Sequence, residues 1–249
     1  MEDQLRILVT LGFTLLLVML RLETAKFGAA DYARPDVYGR MPSRARQVAW
    51  YLVGLLLVLG AVLAHPSAGT GLFLRMGNAG EAIALGLVYG AVGALLAVAA
   101  AWLRDRRLSP PTPRAYPGAL LSAGATAFVD EAAFRGLAFA YLLGAGIDPV
   151  AANLVQALVY ALATRLGGRG GDRYALALAL IVGVLGGWLT IITGGIGAAV
   201  LGHALTRFTQ LALRSGASRD EYETVGEARS WAGFLRARVR GVGDAASRR

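Results

Sequence analysis

The sequence contains no cysteine, which removes thiol nucleophiles, thiolate-bound metals and disulfides from consideration. Lysine is almost missing, Lys26 being the only one, and histidine occurs only as His65 and His203. Charged residues are 16% of a chain of 249, bunched between long apolar runs. A scarcity of charge on that scale leaves too little polar surface to solvate a water-soluble domain of this length. What is abundant is apolar: 56% of residues are hydrophobic, and the mean hydropathy is +0.53. Lipid is the solvent that such a chain fits.

The net charge of +9 comes almost wholly from arginine. The arginines lie mainly in loops and in the C-terminal tail, so anionic lipid headgroups suit them better than nucleic acid does. Seven apolar segments stand out, at 5–22, 48–65, 81–103, 118–143, 148–166, 174–192 and 195–213. Most approach the roughly 20 residues needed to cross a bilayer. The expected fold is therefore all-α: a polytopic bundle of about seven transmembrane helices over residues 1–213, followed by a basic tail at 214–249. The acidic start Met1-Glu2-Asp3-Gln4 is unlike the cationic start of a signal peptide. Gly86 with Gly90, and Gly183 with Gly187, are small-xxx-small pairs that predict close helix packing.

Cations alternate between the loops. Arg21, Lys26, Arg34, Arg40, Arg44 and Arg46 lie near the first connection; Arg104, Arg106, Arg107 and Arg114 near the third; Arg169 and Arg173 near the fifth. The positive-inside rule then places the N-terminus outside and the tail in the cytoplasm. In the tail, Trp231, Phe234, Leu235 and Val239 recur at helical spacing, with Arg229, Arg236 and Arg240 largely opposite. This predicts a short amphipathic helix on the cytoplasmic leaflet, or else a solvated basic segment. The expected location is the plasma membrane of a prokaryote, with membrane lipids as partners.

Lipid rejects the most informative residues. Asp130, Glu131 and Arg135 sit mid-span in the fourth segment, and Glu131 and Arg135 are one turn apart in the favourable order for an ion pair. Asn153, Gln156, Tyr160 and Thr164 form one stripe of the fifth segment; His203, Thr206, Arg207 and Gln210 form one stripe of the seventh. Unpaired polar groups at membrane depth cost several kcal/mol each, so these faces are expected to meet inside the bundle. Ser, Thr, Asn and Gln stripes often serve only as interhelical glue. Two adjacent carboxylates with an arginine and a histidine are expected to be functional. His65, before Pro66, reads as an interfacial residue, and the Gly167–Gly171 run as a flexible turn.

The run Asp130-Glu131-Ala-Ala-Phe-Arg135-Gly136 resembles the first motif, Glu-Glu-x-x-x-Arg, of the CPBP family of CAAX-protease and bacteriocin-processing intramembrane proteases. Asp130 stands for the first Glu. Tyr160-Ala-Leu-Ala-Thr164 is similar to the second motif, Phe-x-x-x-His. His203-Ala-Leu-Thr-Arg207, after Thr193-Gly194-Gly195, is similar to the third, His-x-x-x-Asn. The resemblance covers about 118–213 and implies peptide-bond hydrolysis in or beside the bilayer. It implies Glu131 as the group that activates water, His203 as its partner, and Arg135 as the orienter of Glu131. Asp130, Tyr160, Thr164 and Arg207 would line the site.

Two departures shape the expected chemistry. Thr164 stands where the family has a second histidine, and Arg207 where it has Asn or Asp. One histidine with two carboxylates is a poor set for zinc, and a cation at Arg207 repels a metal, so no metal or other cofactor is expected. Pairing of Arg207 with Asp130 or Glu131 is expected to lower carboxylate basicity. Two functions are compatible with this: a metal-independent endopeptidase acting on a peptide or membrane protein, or a degenerate relative that binds a membrane partner without cutting. A transporter is the third reading, and its inverted repeats are not seen in the sequence.

Overall fold

The computed structural model describes residues 2–29, 43–106, 113, 116–167 and 173–229. The amphipathic stretch expected at 229–240 lies almost wholly outside them, as do Arg34, Arg40, Arg107, Arg114 and Arg169. The architecture is all-helical, and no strand occurs among the described residues. We number the long helices α1 (Glu2–Leu22), α2 (Arg44–Ala64), α3 (Ala79–Asp105), α4 (116–144), α5 (Pro149–Gly167), α6 (Arg173–Thr193) and α7 (Gly197–Arg229). Each corresponds to one apolar segment of the sequence. One-turn helices Thr24–Phe27 and Ala68–Gly71 interrupt the first two connections.

Five helices, α1, α2, α3, α5 and α6, are long and apolar enough to cross a membrane. The other two carry the ionisable motifs, and α4 and α7 complete the seven-helix bundle. Helix α4 is composite: α-helical over Tyr116–Glu131, π-helical over Ala132–Ala138, and α-helical again over Phe139–Gly144. Helix α7 runs on to Arg229, well past Leu213, where the apolar pattern ends and the sequence predicts the start of the tail. The composition change there marks a change of surroundings rather than a stop, since no proline occurs between 213 and 229.

The polarity of the bundle is the reverse of a soluble core. Leu95 and Leu121 are 70% and 75% exposed, whereas Glu131 and Arg135 are 0% exposed. An apolar exterior around a charged interior is stable only where hydrocarbon replaces water, and the chain is an integral membrane protein. Without a hydrophobic drive between helices in lipid, close packing must hold them, and glycine permits it. A Cβ on Gly86 would lie 3.0 Å from the Ala198 carbonyl of α7, and one on Gly93 would collide with Thr206. Gly183 and Gly187 bring α6 equally close to Ala157 and Asn153 of α5. Both small-xxx-small pairs are therefore contact faces.

Five further hydrogen bonds frame the polar centre. The Trp50 indole donates to Leu20 O at 2.9 Å, and Arg6 Nε donates to Ala64 O at 2.9 Å, tying α1 to α2. Residues 72–78 press against the α6–α7 turn: Asn78 N donates to Thr193 O at 2.9 Å, and Ile196 N to Arg75 O at 3.0 Å. Gly77 and Gly194 take positive φ there, 79° and 72°, which is where a side chain is disfavoured. The Phe73 amide donates to Gly136 O in the π-helical stretch at 3.2 Å.

Candidate active site

The charged residues of α4 divide between two neighbours. Glu131 closes the first α-helical part, and the π-helical turns begin at the next residue. A π-bulge rotates the residues C-terminal to it relative to their places on a plain helix, and it is frequent at functional sites. Glu131 Oε1 lies 2.7 Å from His203 Nδ1 of α7, and Glu131 Oε2 lies 3.3 Å from Arg135 Nε, one turn on. On the far side of the imidazole, His203 Nε2 is 3.3 Å from the Tyr160 hydroxyl of α5. The Arg135 guanidinium lies over the Tyr160 ring, 4.3 Å from its centroid. Glu131, Arg135, Tyr160 and His203 thus form one closed, buried constellation. Gly186 of α6 forms part of its wall, since a Cβ there would sit 3.4 Å from both Arg135 Nε and Glu131 Oε2.

Asp130 turns the other way. Its Oδ1 lies 3.3 Å from Arg21 Nε of α1, with both side chains almost fully buried. The same arginine donates from Nη2 to Thr164 Oγ1 of α5 at 3.3 Å. Asp130 and Thr164 therefore meet Arg21 rather than His203, in a second cluster one turn from Tyr160. Asp130 faces Arg21, and Glu131 faces Arg135 and His203. The reason is that α1 lies against α4 and brings its own cation. Arg207, one turn beyond His203, is only half-buried.

Arg21 is not one of the loop cations of the first connection, as its place at the end of an apolar segment suggests; it is inside the bundle. A signal for this exists in the sequence. Thr10, Thr14, Arg21 and Thr24 share one face of the first segment and its extension, and all four are buried. The upper part of the α5 stripe proves to be glue. Gln156 Nε2 donates to Asn153 Oδ1 at 2.7 Å and to Gly183 O at 3.0 Å, and Asn153 Nδ2 to Val184 O at 3.1 Å. Thr206 instead bonds back to Gly202 O of its own helix at 2.8 Å.

A metal needs three or more converging ligands. Among the described residues no three His, Asp or Glu side chains are placed to hold one. The carboxylates present already face guanidinium groups. What the arrangement offers instead is a carboxylate–imidazole pair of defined orientation: a carboxylate holding Nδ1–H leaves Nε2 as the basic nitrogen.

Residues 110–209 match the family model for Type II CAAX prenyl endopeptidase Rce1-like proteins. That stretch contains all three motifs and ends within α7, so the similarity to CAAX endopeptidases lies in the site-bearing helices, while α1 to α3 lie outside it. No curated protein and no solved structure matches the chain.

Proposed function

Starting from a membrane domain of the CAAX-endopeptidase type at 110–209, we propose that the chain hydrolyses peptide bonds in the bilayer with His203 as general base and Glu131 as its orienter. The 2.7 Å contact between Glu131 and His203 Nδ1 supports this reading most directly. Both Glu131 oxygens already have cationic or N–H partners, so the proton-accepting role expected of Glu131 passes to His203 Nε2. Arg135 lies against one Glu131 oxygen, and the other oxygen holds the imidazole with its proton on Nδ1. His203 Nε2 then takes a proton from water as the oxygen attacks the scissile carbonyl, and returns it to the leaving amine. The Tyr160 hydroxyl, at rest against Nε2, donates to the carbonyl oxygen as charge develops on it.

The test is digestion of a membrane-extract peptide library by purified protein in detergent, beside Glu131→Gln, His203→Gln and Tyr160→Phe. Loss of the base should cost about 10²–10⁴ in rate, and loss of the hydroxyl about 10²-fold. Product profiles that are the same for the parent and for His203→Gln sink the enzymatic reading. One observation favours the alternative, a degenerate member that binds a membrane partner: Asp130 and Thr164 are both engaged by Arg21. Partner capture undiminished in His203→Gln, with no cleavage by the parent, is the outcome that selects it.

A further inference from the structure

Arg21 makes two contacts, one ion-pair approach and one hydrogen bond. Nε faces Asp130, and Nη2 donates to Thr164. Nη1 and Nε are both buried without a hydrogen-bond acceptor, Nε having the Asp130 carboxylate at ion-pair distance and Nη1 having neither; the residue is only 3% exposed. A buried N–H donor without an acceptor is costly, and in a native site it points to a group that arrives from elsewhere. Thr164, which Arg21 touches, lies one turn after Tyr160, whose hydroxyl meets His203. The spare donor therefore belongs to the neighbouring cluster, one turn of α5 from the hydroxyl that meets the proposed base.

The charge count indicates what kind of acceptor fits. Among the described residues buried in the polar centre, Asp130 and Glu131 carry two carboxylates, and Arg21 and Arg135 carry two guanidinium groups. A further anion would be uncompensated there, and an isolated buried charge is strongly disfavoured. A neutral acceptor carries no such cost. The backbone carbonyl of a peptide is the neutral acceptor that a peptide substrate brings with every residue.

We propose that Arg21, from a helix outside the family match, is a substrate-binding residue whose Nη1 donates to a backbone carbonyl of the bound peptide. This rests on the endopeptidase reading above and adds to it a point of substrate contact. In this role Arg21 acts on binding, and the proton transfers remain with His203.

The experiment takes one peptide cleaved from the library and its analogue with an ester in place of the amide at each position flanking the cut. An ester carbonyl is a weaker acceptor, so it probes the donor directly. Arg21→Lys keeps the charge opposite Asp130 but removes the fork. Its KM should rise about tenfold or more with kcat largely kept, since a hydrogen bond from a charged donor is lost. At one position the ester should raise KM for the parent and have little further effect in Arg21→Lys. If Arg21→Lys does not fold, the charge-balanced pair Arg21→Met with Asp130→Asn takes its place in the same comparison. Unchanged KM in the variant, or ester effects equal in parent and variant at every position, overturns the assignment. Glu131→Gln run in parallel separates the two levels: if it cleaves as the parent does, the endopeptidase reading itself fails.

Discussion

Removing the Arg21 side chain strands a carboxylate at the centre of the bundle. Arg21 and Asp130 approach to 3.3 Å, and Asp130 is 1% exposed. With an effective dielectric of about 20, two unit charges at that distance attract by about 5 kcal/mol. Desolvation of both ions offsets most of this, so the pair as a whole contributes little over an apolar pair of equal shape. Breaking it from one side is different, because the remaining ion keeps its desolvation cost and loses its attraction. Arg21→Met and Asp130→Asn should therefore each destabilise by about 3–5 kcal/mol. Arg21→Met combined with Asp130→Asn, which removes both charges, should lie within about 2 kcal/mol of the parent. The assay is the SDS-unfolding midpoint of purified protein in mixed micelles, read by circular dichroism for the parent, both single variants and the double. Strong non-additivity is the expected signature. Additive losses, or an Arg21→Met protein as stable as the parent, would show that the ion pair does not hold α1 to α4 and would refute the reasoning.

The packing and the charge pattern each give a further expectation. Gly187→Ala should destabilise by about 1–3 kcal/mol in the same assay, because its Cβ would collide with Asn153 Oδ1, whereas Gly124→Ala, with open space around it, should be neutral or slightly stabilising; equal effects of the two would disprove the close α5–α6 approach. Single cysteines are introduced at Ser67 and Ser218 in a chain that has none of its own. We expect Ser67→Cys to be labelled from outside intact cells and Ser218→Cys only after permeabilisation. External labelling of Ser218→Cys would reverse the topology.

The sequence by itself determined the class of the protein and marked most of the polar residues that the bundle buries. Apolar runs of membrane length fix the number of helices, because lipid leaves an unbroken helix as the cheapest way to satisfy the backbone. Helical spacing also showed that Glu131 can reach Arg135, and that His203 lies on a polar face of its own helix. Only the tertiary structure decided who meets whom. The π-helical turns after Glu131 have no signature in a run such as Ala-Ala-Phe-Arg-Gly-Leu-Ala, and their local backbone geometry accompanies the division between Asp130, facing α1, and Glu131, facing α7. Which residues of the Asn153–Thr164 stripe are glue and which belong to the polar centre depends on which helix lies opposite each turn of α5. Arg21 is the clearest case. At the end of an apolar segment a loop cation and a buried ion-pair partner are the same letter in the same place. The choice between them rests on α1 packing against α4, a contact between residues more than a hundred positions apart, which periodicity within one helix cannot report.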